Sequence, residues 1–245
     1  GEADVYFDYD EKGNTRFLSI QFRPQYQYLD QNKEAEERIY EGETPGVSYG
    51  DIAERYYTVG QYMKEVKDVS KAMAAAGDSY ICDEYLNAMG SPEAESVYVL
   101  HDLNNDGIEE FFIGLKFNYD IPYYVIYDVY TWKDGRAYQL MRGIGYRNGS
   151  CKICENGVIE DNYSGSAWDG QTLYHILPEG GIELETIDSV SSRRDGTVQS
   201  YYHWNELIDE NSLQTILEQY QPESVTYVDC NRETIEQLRL SGIRK

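Results

Sequence analysis

The chain has 245 residues, of which 44 are acidic and 21 are basic, so its formal net charge at neutral pH is −23. A field of this sign repels phosphate and disfavours nucleic acids and anionic membrane surfaces as partners. The length suits one large domain or two small ones, and no apolar run is long enough to cross a bilayer. Tyrosine occurs 25 times and phenylalanine only 6 times, which suits half-buried sheet faces and also surfaces that bind sugars or proteins.

The first fifty residues favour a β-hairpin followed by a linker. Residues 5–9 and 15–22 alternate between polar and apolar side chains on either side of a turn-forming stretch, residues 10–14. Residues 23–50 are polar and contain two prolines and three glycines. Most of this stretch is therefore predicted to be linker, with some helix around residues 33–40.

Two helices are predicted next. Apolar side chains recur at three- and four-residue steps over residues 52–73, so they share one face of a helix that begins near Ser48 or Asp51 and ends at Gly77. A second helix is predicted over residues 79–89, because the sequence Gly-Ser-Pro follows it. Both apolar faces are interpreted as core packing.

The stretch of residues 102–110 has a pattern that indicates metal binding. Asp102, Asn104 and Asp106 alternate, so a tightly curled loop can turn their side-chain oxygens inward together, and Gly107 follows where such a loop must bend sharply. Calcium takes about six to eight oxygen ligands in a flexible arrangement. The predicted calcium ligands are the side chains of Asp102, Asn104, Asp106 and Glu110 and the backbone carbonyl of Ile108.

The loop has two alternative interpretations besides a calcium site. Zinc and copper are disfavoured because the loop contains no His or Cys. The loop could also form an Asx-turn in solvent without an ion, but carboxylates pressed into one loop repel each other unless a cation is present. The calcium prediction is therefore preferred.

The flanks of this loop exclude an EF-hand. An EF-hand places a bidentate Glu at loop position 12, and that position, counted from Asp102, is Ile113. Residues 97–100 and 111–115 are short apolar runs rich in β-branched or aromatic side chains, which predicts strands rather than helices. The loop is therefore predicted to join two neighbouring strands.

Residues 98–114 resemble the strand–calcium loop–strand unit of integrin-type (FG-GAP) repeats. They are still more similar to the single-copy unit of secreted bacterial lipoproteins, whose pattern is Y-x-L-x-D-I-D-G-D-G-I-P-E-L-I-I-G. The chain departs from it at Asn104, Asn105 and Glu109, where Asp, Gly and Pro are commoner, and a neutral Asn104 lowers the charge of the site. The resemblance implies calcium binding and an exported location, secreted or attached to the bacterial cell surface. A lipid anchor upstream of residue 1 is compatible with it, and it implies no catalytic activity.

The rest of the chain predicts an antiparallel β meander. Turn signals recur about every 10–12 residues, at residues 133–135, 147–149, 155–157, 168–170 and 179–181. The segment 121–132 is apolar on both faces and is expected to be a central strand. A further turn at residues 195–196 precedes a strand over residues 197–204.

The C-terminal part is predicted to add helices. A helix around residues 213–220 ends before Pro222, and the tail reads as a strand and then a short helix opened by Asn231. The fold class is therefore α+β: an antiparallel β meander, as a curved sheet or half-barrel, preceded by two helices and followed by a short C-terminal helix. The predicted domains are residues 1–50, a hairpin and linker, and residues 51–245. Because the calcium loop occurs once, no repeating propeller is expected.

The sequence identifies no catalytic residue. It has no G-x-S-x-G, P-loop or G-x-G-x-x-G motif, and its 44 acids favour no particular pair for glycoside hydrolysis. The three histidines, His101, His175 and His203, are each expected to be partly buried with a hydrogen-bond partner. The lone pair Cys151 and Cys154 is interpreted as a disulfide or as structural thiols rather than as a zinc or redox site.

Two functions are compatible with these features. The first is a non-enzymatic binding or surface module with structural calcium, whose ligand is a carbohydrate or another surface protein. The alternative is a secreted hydrolase, acting on glycans, in which calcium supports the site. A shallow surface lined by Tyr and Trp, with Trp132, Trp168 or Trp204 as candidates, favours the first, and a deep pocket with two carboxylates favours the second.

Overall fold

The computed structural model describes residues 3–9, 15–22, 39–43, 48–76, 81–145, 151–164, 168–178, 181–191, 199–204 and 206–242. The chain forms two compact units, residues 1–37 and residues 38–245. Helices and antiparallel sheets are both present, which confirms the α+β fold class. None of the described helices combines the length and the apolar character needed to cross a membrane.

The smaller unit contains the predicted hairpin. Strand β1 (Ala3–Tyr9) pairs antiparallel with β2 (Thr15–Phe22). The register between them shifts at one bulge, between Tyr6 and Phe7. Alternation of polar and apolar residues therefore identified both strands correctly.

The first sheet of the larger unit carries the predicted metal loop. Its strands are β3 (Ile39–Glu43), β4 (Ala94–His101), β5 (Glu110–Phe117), β6 (Tyr123–Lys133), β7 (Arg136–Arg142) and β14 (Val228–Asp229). They are antiparallel neighbours in the order β14-β4-β5-β6-β7-β3. Residues 125–130 of β6 are all buried, which confirms the predicted central strand. Residues 39–43, expected in the linker, instead pair with β7.

The second sheet is a meander of six consecutive strands. These are β8 (Cys151–Cys154), β9 (Val158–Ser164), β10 (Trp168–Ile176), β11 (Ile182–Ser191), β12 (Gln199–His203) and β13 (Glu206–Ile208). Each pairs antiparallel with the next along the chain. The strands of the predicted meander are thus divided between two open sheets.

The turn signals have mixed outcomes. Residues 133–135 and 155–157 form turns with left-handed residues, as predicted. The turn predicted at residues 168–170 is wrong, because these residues belong to β10 and pair with both β9 and β11. Hydrogen bonding to two neighbours outweighs the local Asp-Gly signal there. The signals at 147–149 and 195–196, and most of 179–181, lie outside the described residues.

The described helices are α1 (Tyr49–Val66), α2 (Val69–Ala76), α3 (Asp83–Met89), α4 (Glu210–Leu217) and α5 (Arg232–Gly242). Ser48 caps α1 through a reciprocal capping box with Asp51. Among the described residues, three helices rather than two precede β4, because the backbone of Lys67 is left-handed (φ 52°) and ends α1 although the apolar periodicity continues. Asn231 caps α5 by accepting hydrogen bonds from the N–H groups of Glu233 and Thr234, as predicted.

The main core lies between the first sheet and helices α1, α3 and α5. Tyr56 and Tyr85 are fully buried and meet edge to face at 4.9 Å between ring centroids, an arrangement that contributes about 0.5–1.5 kcal/mol beyond area burial. A smaller core forms where Leu213 of α4 packs with Leu173 and Ile187 of the second sheet.

Candidate metal centre

The loop of residues 102–109 joins two adjacent antiparallel strands. β4 ends at His101 and β5 begins at Glu110, and these two residues are register partners. The strand–loop–strand arrangement is the predicted one, and no helix flanks the loop as in an EF-hand. The geometry of the loop therefore decides whether its oxygens can meet.

The first two polar side chains of the loop turn inward. One carboxylate oxygen of Asp102 accepts the N–H of Asp106 at 3.1 Å, and the other accepts the N–H of Gly107 at 3.0 Å. The side-chain oxygen of Asn104 accepts the same Asp106 N–H at 3.1 Å. Because both oxygens contact one nitrogen atom, Asp102 and Asn104 place acceptors close together on the inner side of the loop.

The third side chain and the backbone complete the curl. Asp106 Oδ1 accepts the N–H of Ile108 at 2.7 Å. Asn105 and Gly107 have left-handed backbones, with φ values of 59° and 87°. Asn tolerates this conformation and Gly adopts it without steric cost, so these residue types in this order favour the bend.

Glu110 lies beneath the loop. It is only 1 % exposed; its Oε2 accepts the N–H of Leu103 at 3.0 Å and its Oε1 accepts the hydroxyl of Thr131 at 3.2 Å. Burial raises the pKa of Glu110 to about 7, with a further contribution from Asp106, although both hydrogen bonds oppose the rise. An ionised Glu110 is therefore costly unless a positive charge comes close.

The donor chemistry of the loop fits a hard cation. Each carboxylate has about four lone-pair sites, and the hydrogen bonds of Asp102 to Asp106 and Gly107 use one on each oxygen. Asn104 donates its amide to Asp106 Oδ2 and to the carbonyl of Leu177, both at 3.2 Å, so its carbonyl oxygen faces the loop. Within the described ranges, no three His, Cys, Asp or Glu side chains form a metal-binding group by themselves. A cation here would also need the Asn104 oxygen and the Ile108 carbonyl.

Helix α1 contacts the loop through Tyr49. Its hydroxyl donates to the carbonyl of Glu109 at 2.8 Å. Its ring stacks on Phe111 at 5.2 Å and meets Trp132 edge to face at 5.7 Å. Burial, and then the charges of the neighbouring loop carboxylates, raise the pKa of Tyr49 far above its ordinary value. The loop is thus a locally negative region that is fixed to the start of α1.

The loop also contacts the second sheet. Besides the Asn104 bond to Leu177, Gly157 of the β8–β9 turn approaches so closely that an added Cβ would lie 3.7 Å from the Asn104 Cα. His101 does not join the loop oxygens: its Nε2 lies 2.9 Å from Oε2 of Glu223. This bears out the expected histidine with a partner. The loop therefore lies where the two sheets meet.

A second polar centre was not found from the sequence. Glu185 on β11 accepts hydrogen bonds from His175 at 2.9 Å, His203 at 2.7 Å and the hydroxyl of Tyr220 at 2.6 Å. Although burial opposes ionisation, these three bonds lower the pKa of Glu185 to about 2. His175 on β10 and His203 on β12 are diagonal neighbours of Glu185 on β11. This relation cannot be recognised until the register of the strands is known.

A third centre lies inside the main core. Asp128 is fully buried, accepts the hydroxyl of Tyr56 at 2.5 Å and the N–H of Gly143 at 2.9 Å, and the Tyr56 hydroxyl also contacts that of Tyr130 at 2.8 Å. Burial raises the pKa of Asp128 to about 7, against these hydrogen bonds. A substrate cannot reach this carboxylate without opening the core.

The four cysteines, and the two tryptophans whose side chains the structure describes, do not come together in one site. All four cysteines are buried and unbridged, and burial raises the pKa of Cys154 to about 12, so its reactive thiolate is disfavoured. Trp132 packs against Tyr49, and Trp204 is 50 % exposed after β12 on the other sheet. The side chain of Trp168 lies outside the described part of the chain.

Comparison with known proteins gives no matching family model, no similar curated protein and no similar solved structure. The resemblance of residues 98–114 to the calcium loop of secreted lipoproteins therefore stays a prediction. What the geometry adds is an oxygen-lined bend between two paired strands, at the meeting point of two sheets.

Proposed function

We propose that this protein is an extracytoplasmic, non-enzymatic binding or surface module whose single calcium ion is structural. The observation that supports the proposal is the turning inward of the Asp102 and Asn104 oxygens onto one backbone N–H, with Asp106 continuing the bend. Asp102, Asn104, Asp106 and Glu110, with the carbonyl of Ile108, would hold the ion. When bound, calcium supplies positive charge to a loop that contains three carboxylates.

Calcium at this position would act on stability rather than on chemistry. The loop contacts α1 through Tyr49 and the second sheet through Leu177. An ion that binds only the folded loop stabilises all of these contacts by mass action, by about 2.7 kcal/mol at a concentration one hundred times its Kd. The expected effect is a fold that is more stable in calcium than in chelator.

The arrangement of the buried acids supports a binding role over hydrolysis. A glycoside hydrolase needs two carboxylates that reach the substrate. Asp128 is sealed in the core, and Glu185 is held by two histidines and a tyrosine. Glu160 is similarly engaged by Lys152, Asn162 and Gln171. The ligand of the module is expected to be a carbohydrate or another surface protein, since the charge of −23 disfavours nucleic acid.

Thermal melting in calcium and in chelator tests the proposal. The chain offers a matched pair of Asp-Gly turns: Asp106 precedes Gly107 in the loop, and Asp134 precedes Gly135 in the β6–β7 turn. Wild type and Asp134→Asn are expected to melt several degrees higher in calcium than in chelator, whereas Asp106→Asn is expected to lose this difference. Equal melting of the wild type in both conditions would contradict the proposal.

A further inference from the structure

The connection between β5 and β6 exposes an unusual amount of apolar surface. Ile121 is 83 % exposed, Tyr119 is 50 % exposed and Tyr123 is 47 % exposed. We call these three residues, with Phe117 at the end of β5, the tip patch. Exposed apolar clusters of this kind mark interaction surfaces in soluble proteins.

The rings of the tip patch are held in a nearly parallel stack. The ring centroids of Phe117 and Tyr123 are 4.8 Å apart at an interplanar angle of 16°. Those of Tyr119 and Tyr123 are 5.8 Å apart at 15°. Phe117 and Tyr119 are parallel within 3° at 6.3 Å. Because Phe117 is buried in the main core, it anchors the two exposed rings, and a partner would lose little side-chain entropy by binding them.

The charge around the tip patch is negative. Asp120 is exposed within the connection. The N–H of Asn118 donates to the backbone carbonyl of Glu93 at 3.0 Å, and the Glu93 carboxylate accepts the hydroxyl of Ser91. Strand alternation turns Lys116 to the opposite face, where Glu95 is its cross-strand neighbour. A ligand of the tip patch therefore meets aromatic rings together with the carboxylate of Asp120.

The charge of the whole chain narrows the choice of partner. At −23, a second copy and an anionic membrane are both repelled. A cationic side chain gains binding energy in two ways, because it pairs with a carboxylate and also lies over an aromatic face. Arginine suits the patch better than lysine, since its planar guanidinium stacks on aromatic rings and is more weakly hydrated.

We propose that the tip patch docks a basic, arginine-bearing segment of a partner protein. Arginine stacks on the exposed rings of Tyr119 and Tyr123, Asp120 supplies the opposite charge, and Ile121 contacts apolar parts of the segment. The proposal rests on the binding role proposed above and names the partner class, but it does not depend on calcium. The tip patch and the metal loop are at opposite ends of β5, about 24 Å apart at the usual rise per residue.

Calorimetry with two peptides tests this proposal. The probes are an arginine–glycine repeat peptide and a lysine–glycine peptide of equal length and charge, titrated at physiological ionic strength with calcium and again with chelator. The wild type is expected to bind the arginine peptide about fivefold more tightly than the lysine peptide. The double variant Tyr119→Ala/Tyr123→Ala is expected to lose about tenfold in affinity for the arginine peptide and to lose the preference.

The control is Trp204→Ala, which removes an aromatic ring of similar exposure from the other sheet and should leave peptide binding unchanged. Denaturant unfolding of each variant verifies that it is folded. Equal affinity for the two peptides, unchanged in the double variant, would show only general charge attraction and overturn the proposal. Glycan binding that depends on both tyrosines, without peptide binding, would also overturn it. Peptide binding by a protein that binds no calcium would support the tip-patch proposal and contradict only the proposed calcium site.

Discussion

The metal loop and the Glu185 cluster show two ways of holding negative charge. In the loop, Asp102 accepts hydrogen bonds from backbone N–H groups. Glu185 instead accepts hydrogen bonds from three side chains, those of His175, His203 and Tyr220. Three side-chain donors favour the ionised form of the single Glu185 carboxylate, whereas the loop gathers several carboxylates that repel one another. The comparison therefore supports the proposal of a cation in the loop and gives the Glu185 cluster no need of one.

The largest expected effect comes from removing the centre of the second cluster. Glu185→Ala leaves His175, His203 and Tyr220 without their shared acceptor, and leaving three partly buried donors without a hydrogen-bond partner costs about 3 kcal/mol in total. Denaturant unfolding measures the change in the free energy of unfolding. Calcium binding by the same variant should equal that of the wild type. Loss of calcium binding here would mean that the two regions are not independent.

The next largest effect is on the pH dependence of stability, which is expected to have opposite signs for a buried carboxylate in each of the two sheets. The pKa of Glu185 is about 2 in the folded protein and 4.5 ordinarily, so its contribution is present above pH 4.5 and is lost as the pH falls towards 2. The pKa of Asp128 is raised from 3.8 to about 7, so it has the opposite sign: stability decreases as the pH rises from 3.8 to 7. The free energy of unfolding of Glu185→Gln and of Asp128→Asn, measured across this pH range, gives the contribution of each carboxylate. Each variant should remove only its own part of the profile, and a profile unchanged in both would contradict these assignments.

A smaller effect is expected where the loop meets α1. Tyr49→Phe keeps the stacking on Phe111 but removes the hydrogen bond to the carbonyl of Glu109, which costs about 1 kcal/mol. If calcium orders this loop, the loss in the free energy of unfolding should be smaller in calcium than in chelator. Tyr98 also packs against Phe111, at 5.6 Å between ring centroids, but it lies within β4 and not at the loop, so Tyr98→Phe serves as the control. The same loss in both variants would show that only ring polarity matters.

The smallest predicted change tests the departure from the lipoprotein pattern. Asn104→Asp adds a negative charge to the loop and removes the amide bond to the carbonyl of Leu177. Affinity for calcium is expected to rise about threefold, because added ligand charge tightens such sites. Calorimetric titration measures it, with Asn105→Asp as the control, since the exposed Asn105 is not a predicted ligand. A fall in affinity would mean that the contact with the second sheet matters more than the charge.

The sequence predicted best where the signal is local. The loop between β4 and β5, the central strand β6 and the cap at Asn231 depend on neighbouring residues only, and all three were placed correctly. Two errors have one cause. The apolar periodicity of residues 52–73 continues across the left-handed Lys67, and the Asp-Gly signal at 169–170 lies inside a strand that is paired on both sides.

The polar centres could not be predicted because they depend on register and topology. His175, Glu185 and His203 come together only when β10, β11 and β12 pair as they do. Asp128 meets Tyr56 across 72 positions of sequence. With 44 acids in the chain, composition gave no reason to select either carboxylate. The tip patch, likewise, depends on how the rings at the ends of β5 and β6 stack with Tyr119 of the connection between them.

Direct calorimetric titration with calcium tests the central claim most directly. The wild type, after removal of metal, is expected to bind one calcium ion per chain, and Asp106→Asn is expected to bind at least about tenfold more weakly through loss of a ligand charge. Asp134→Asn, the equivalent change in the β6–β7 turn, should bind as the wild type does. No heat of binding for the wild type, or equal binding by Asp106→Asn, would contradict the account.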